Sequence, residues 1–152
     1  MRAELEVANL VLQLLDDKKD RTYGCTCGDL TVGAGASEEP LEPVLRGLFV
    51  AARGTLTNRP VETRHGLNLF NIGCINAAGR SLQGLVSLVE DAREARGWAV
   101  LVIHGIGAGT HDLYLETDVH AGFIQWLGQQ KQIWTAPVRT VATFLRDRVA
   151  PS

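Results

Sequence analysis

Trp98-Ala99-Val100-Leu101-Val102-Ile103-His104-Gly105-Ile106-Gly107 is the stretch on which the fold turns. Six apolar residues run without interruption, rich in β-branched Val and Ile. This is the pattern of a strand buried on both faces, within a parallel sheet covered by helices. A lone imidazole, His104, closes the run, and glycines follow at 105, 107 and 109. In open α/β sheets and in barrels, chemistry collects beyond the carboxyl ends of parallel strands. An imidazole there can hold or release a proton near neutral pH, and glycines let the backbone turn and approach a ligand closely. His104 is therefore the first candidate catalytic residue. The same pattern also fits a strand-end histidine capped by a backbone carbonyl.

Downstream of the glycines, Thr117 or Asp118 is placed to cap a helix whose face is Val119, Phe123, Trp126 and Leu127. Gln132 to Ala136 reads as a short strand, and Pro137 starts a last helix with Val138, Val141, Ala142, Leu145 and Val149 on one side. Upstream, Leu82, Leu85, Val86, Val89 and Ala92 share a helical face between Ser81 and Arg96, and Gly97 stands where a helix C-cap belongs. The carboxyl-terminal half thus alternates helix and strand, which predicts right-handed βαβ units and a parallel sheet.

Further upstream, residues 3 to about 16 form a helical pattern with a stripe of Leu5, Ala8, Leu12 and Leu15, widened by Val11 and Leu14. A charged run from Asp16 to Arg21 ends it. Thr22 to Gly28 is a short β-like piece passing into a loop rich in glycine and acid. Pro40 is placed to open a short helix through Leu45. Leu48 to Ala52 reads as a buried strand closed by Arg53-Gly54, and Leu67 to Ile72 as a strand with one wet face. No repeat or linker interrupts the chain, so residues 1–152 are read as one domain of α/β class.

With 152 residues, 45% of them apolar and 21% charged, the chain has the composition of a soluble globular protein. A formal charge of -2 leaves no electrostatic footprint for nucleic acid, and Lys18, Lys19 and Arg21 are interleaved with Asp16, Asp17 and Asp20. The longest apolar run falls far short of the ~20 residues a membrane helix needs, so no membrane partner is expected. The start, Met-Arg-Ala-Glu-Leu-Glu, is charged and amphipathic with no hydrophobic signal segment, which leaves the cytoplasm as the default compartment.

Of three cysteines, Cys25 and Cys27 stand in C-x-C spacing and Cys74 is remote, which is no zinc signature; buried, inert thiols are expected. Histidines stand at 65, 104, 111 and 120, none at i, i+4 and none in H-E-x-x-H. His111, Asp112 and His120 can approach His104 through the glycine loop, but no complete metal site is expected. His120, early in its helix, is expected to face solvent, and His65 carries no signal. A hydrolase elbow is missing: Gly79-Arg80-Ser81-Leu82-Gln83 lacks the second glycine of G-x-S-x-G. No Gly-Lys-Ser/Thr makes the glycines a phosphate loop. Arg53, read as following a buried strand, points to the same rim as His104, where a guanidinium can hold a carboxylate, orient a carbonyl, or form an ordinary rim salt bridge. Trp98, Trp126 and Trp134 read as core, with sugar stacking the alternative for any one ring.

Together these pieces resemble the carboxyl-terminal half of a polysaccharide deacetylase, of carbohydrate esterase family four. The likeness is strongest from Gly97 to Leu145, where Gly-Trp-Ala-Val-Leu-Val-Ile-His-Gly-Ile-Gly precedes a helix, then Ile133-Trp134-Thr135-Ala136-Pro137 and a last helix. Tyr23-Gly24-Cys25-Thr26-Cys27-Gly28-Asp29 resembles the family's Tyr-Pro-Cys-Gly turn, with Thr26 where proline is usual, and Phe49 to Gly54 resembles the strand after it. The resemblance implies a distorted (β/α) barrel of parallel strands and helices. It also implies metal-dependent removal of acetyl groups from N-acetylated amino-sugar polymers, with zinc or another divalent ion activating water. It makes His104 the acid that protonates the leaving amine, Val102 part of the acetate methyl pocket, and Tyr23 and Gly105 substrate-binding candidates.

The departures from the family carry as much weight. Its base and first metal ligand come from a Thr-Phe-Asp-Asp motif, and its other ligands from His-x-x-x-His; this sequence has neither. Asp16-Asp17, among lysines at a helix end, is not assigned the base. The chain is therefore expected to be amino-terminally truncated or a split piece, without metal ligands of its own and inactive alone. Half a barrel leaves open sheet edges and an uncovered apolar face, so self-association or pairing with a missing half is expected. The reading from a different class is a non-catalytic carbohydrate-binding or assembly module on the same fold.

Overall fold

A computed structural model describes residues 1–61, 63 and 67–148. His65 and Val149 lie outside the described residues. The chain divides into two compact units: Met1–Thr55 with Asn68–Ile72 and Pro137–Ser152, and Leu56–Leu67 with Gly73–Ala136. The class is mixed α/β, with parallel strands hydrogen-bonded in the order β1 (Thr22–Gly24), β4 (Ala51–Leu56), β5 (Ile72–Asn76), β6 (Leu101–Val102). Thr22, Tyr23 and Gly24 lie opposite Ala51, Ala52 and Arg53, in parallel. Along β4 and β5, the Ala52 N–H donates to Leu69 O and the Thr57 N–H to Cys74 O, both at 2.7 Å. The same offset at both bonds is the mark of parallel strands.

In the first unit, α1 (Arg2–Asp16) ends at Asp17, whose left-handed φ of 53° lets its N–H reach Gln13 O. The helix is where the spacing predicted, but its stripe is not sealed: no α1 residue is buried, and Leu12 and Leu15 are exposed. β2 (Thr31–Val32) and β3 (Glu39–Pro40) pair in antiparallel fashion. Pro40 thus belongs to a strand, and it is Pro43 that stands in the first turn of α2 (Glu42–Arg46). Leu48 and Phe49 extend the turn after α2, each N–H donating to Leu45 O, so β4 begins three residues later than the apolar run and contains Arg53 and Gly54. The core gathers Cys25, Leu41, Leu45 and Ala52, with Tyr23, Phe49 and Phe70 against it. Pro137 opens α5 (Val138–Arg148), its carbonyl accepting from the N–H groups of Thr140 and Val141; Val141 and Ala142 are buried.

The second unit is built on α3 (Leu82–Glu94) and α4 (Thr117–Gly128). Ser81 caps α3, its Oγ accepting the Gly84 N–H at 3.2 Å, and Leu85, Leu88, Val89 and Ala92 are buried. The left-handed residue after the helix is Arg96 (φ 51°), not Gly97. Arg96 N–H bonds to Arg93 O and Gly97 N–H to Ala92 O, the paired bonds of a Schellman turn. Gly97 is needed for room: a Cβ there would sit 2.7 Å from Val61 O. Neither Thr117 nor Asp118 caps α4; the cap residue is Glu116 without a side-chain bond, and Asp118 Oδ1 accepts from Val119 N instead. The core joins Ala77, Leu85, Val89, Leu115 and Phe123. Gln132 to Ala136 forms no strand and Trp134 is 54% exposed, whereas Trp126 stacks on Phe123 at 6.2 Å. No helix among the described residues is long and apolar enough to cross a membrane.

Candidate functional site: the turn after β6

The apolar run of Trp98 to Ile103 becomes a strand over two residues. β6 pairs in parallel with β5, Ile75 opposite Leu101 and Asn76 opposite Val102. Trp98 is bridged to Val61 by two backbone bonds of 2.8 and 2.9 Å. Burial on both faces is not found: Val100 is buried, Leu101 and Val102 are half-buried, and Ile103 is 37% exposed. β6 ends the strand order, and a strand at an edge has a ladder on one side alone.

His104 leaves β6 exposed to solvent. Gly105 and Ile106 form β7, which pairs in parallel with β8 (Tyr114–Leu115), and the chain between them folds back tightly. Gly107 and Gly109 take φ of 82° and 83°, and the Thr110 hydroxyl donates to Gly107 O at 2.7 Å. The loop returns His111 to His104, with ring centroids 5.1 Å apart and planes 25° from parallel. Gly105 makes that approach possible: a Cβ there would collide with Thr110 Oγ1 and lie 2.9 Å from His111 Cβ. His111 Nδ1 accepts the Leu113 N–H at 2.8 Å, so in the neutral ring the proton sits on Nε2. Two imidazoles thus face water beside a backbone turn, a surface able to donate and accept protons. Asp112 is exposed, and His120 is half-buried rather than facing solvent.

Arg53 and Tyr23 belong to the first unit, and Val102, His104 and Gly105 to the second. Arg53 lies inside β4 opposite Gly24, its guanidinium laid across that glycine: a Cβ on residue 24 would be 3.0 Å from Arg53 Nη2. Its carbonyl accepts the Cys25 N–H at 2.9 Å. Tyr23 is half-buried, its ring tilted against Phe49 at 5.2 Å. Cys25 and Cys74 are buried, whereas Cys27 is exposed with a left-handed φ of 53°.

Among the described residues, no three His, Cys, Asp or Glu side chains are grouped so as to hold a metal ion. No family model, curated protein or solved structure matches this chain. The stacking of His111 on His104 is the feature that sequence spacing signalled least directly; its trace was the repeated glycine at 105, 107 and 109.

Proposed function

We propose that the chain carries the acid side of a polysaccharide deacetylase-like hydrolase, as part of a distorted (β/α) barrel. In the reaction, water adds to the acetyl carbonyl carbon, the amide C–N bond of an N-acetylated amino sugar breaks to release acetate, and the departing nitrogen takes a proton from His104. An amine leaves poorly until protonated. Val102, two residues earlier, would border the acetate methyl, and Gly105 would admit the sugar close to the backbone. The observation that carries the reading is the exposed imidazole of His104 two residues past the end of a parallel strand.

No ligand set for a divalent ion is present in the sequence motifs or among the described residues. Electrostatic stabilisation of the oxyanion is commonly the larger part of such catalysis, so the chain alone is expected to be inactive. The test is acetate release from N-acetylglucosamine tetramers with added zinc, alongside amide-resonance shifts on adding the tetramer. Shifts at Val102, His104 and Gly105 without turnover are expected. Turnover abolished by His104→Ala would refute the inactivity, and absence of shifts at these residues would refute the sugar site.

A non-catalytic carbohydrate-binding or assembly module is the second reading. It is favoured by the outer side of α1, where Val7, Leu10 and Leu14 are 60%, 58% and 79% exposed. Exposed apolar patches of this sort mark interaction surfaces. A strictly monomeric species by light scattering at high concentration would count against it.

A further inference from the structure

Within the first unit, α1, the turn after it, β1 and the start of α5 enclose an open cavity of about 490 Å³. Small-molecule sites commonly span ~300–1,000 Å³. One wall is apolar, made by Leu5, Ala8 and Leu12 of α1 with Phe49 and the Tyr23 ring. The lining also carries Lys18, Arg21 and Arg139.

The charges in and beside that lining do not cancel. Arg21 and Lys18 both lean on the Asp16 carboxylate, and the carboxyl of Asp16 is held at about 2 by the Arg21 hydrogen bonds and the Lys18 N–H, so it is ionised at neutral pH. Asp20 is the acid among the lining residues. Arg139, half-buried, donates Nη1 to the Asp20 carbonyl at 3.3 Å and has no carboxylate partner among the described residues. Lys18, Arg21 and Arg139 against Asp16 and Asp20 leave one positive charge, and the buried Nε of the Arg21 guanidinium meets no acceptor among the described residues. One surplus positive charge suits a monoanion, and the nearby carboxylates oppose a doubly charged phosphate.

We propose that this cavity binds a small carboxylate with an aliphatic or aryl tail, the head on Arg139 and Lys18 and the tail along α1 and Phe49. Arg presents a planar fork of donors that matches a carboxylate, and the tail leaves water against the exposed side of Leu12.

Octanoate, its neutral analogue octanamide and inorganic phosphate are the probes, titrated into the full chain with amide and methyl resonances observed. Octanoate is expected to shift Leu5, Leu12, Tyr23 and Phe49 saturably, about tenfold more tightly than octanamide, and Arg139→Gln is expected to erase most of that difference. No saturable shift with octanoate, equal affinity for octanamide, or equal displacement by phosphate would each overturn the assignment. The comparison of the two probes on the unsubstituted chain stands even where the variant folds poorly. Tyr23 is common to this cavity and to the substrate-binding candidates of the resemblance, but Val102, His104 and Gly105 take no part here, so octanoate binding and the hydrolase reading, which is read at those three residues, fail separately.

Discussion

Replacing Gly105 by alanine tests whether the loop after β6 is held by close approach. Gly105 does not have the left-handed φ of Gly107 and Gly109, so alanine meets no backbone penalty there. Its methyl group meets Thr110 Oγ1 and comes within 2.9 Å of His111 Cβ and 3.1 Å of His111 N. Overpacking of this kind costs about 1–3 kcal/mol. Gly79 is the control: its φ is +66° and a Cβ there finds no atom within 4 Å, so Gly79→Ala pays about 1–2 kcal/mol for conformation alone. For a chain of this length, 2 kcal/mol corresponds to a fall in Tm of about 4–8 °C. Urea unfolding gives the free energies, and the proton contacts between the His104 and His111 rings report the loop. Gly105→Ala is expected to lose both stability and the ring contact, whereas Gly79→Ala keeps the contact. A Gly105→Ala chain within about 0.5 kcal/mol of the parent, its two imidazoles still stacked, would refute the packing argument.

Leu85 is fully buried in the second core, so Leu85→Ala should cost about 2–5 kcal/mol by urea unfolding; a cost below 1 kcal/mol would mean that α3 does not seal that core. Asp16 titrates lower in the folded chain than its usual 3.8, at about 2, because the Arg21 guanidinium and the Lys18 N–H bond its carboxylate. A depressed folded pKa gives stability that is present above the unfolded value and lost as pH falls through the folded one. The chain should therefore lose stability between about pH 4 and pH 2, and Asp16→Asn should flatten that limb of a thermal-melt series. An unchanged acid limb in Asp16→Asn would refute the coupling.

The α/β class and the parallel strands were legible in the sequence; the strand boundaries, and the lack of a strand at Gln132 to Ala136, were not. Phe49 is apolar because it covers the first core while, with Leu48, completing the turn after α2, and an apolar run looks the same whether it seals a core or joins a ladder. Asn68 supplies a second instance. Its side chain accepts the Phe70 N–H at 2.9 Å and its carbonyl accepts from Asn71, an Asx turn that interrupts what periodicity alone reads as a strand; β5 starts where that pattern ends. At the site, His104 and the glycines were found from their place after the apolar run. That His111 and not Asp112 comes to rest on His104 depends on the Gly107–Thr110 turn and the bond from Leu113 N–H to His111 Nδ1. Such bonds are set by loop backbone angles, which spacing does not encode.

α1 and α3 show why a stripe predicts a helix more surely than it predicts burial. Both carry apolar residues at helical spacing, and both form. On α3 the stripe of Leu85, Leu88, Val89 and Ala92 is buried. On α1, Leu5 packs against the first core and the Asn9 amide reaches the Leu48 carbonyl at 3.3 Å, but Val7, Leu10, Val11, Leu14 and Leu15 all remain more than half exposed. A helix surrounded by apolar residues on two sides has more sticky surface than one layer beneath it can cover. The free energy of burying that second side is about 25 cal/mol for each Å² removed from water. It is unrealised within the described residues, so a partner laid along the outer side of α1 would gain it without disturbing the packing of Leu5.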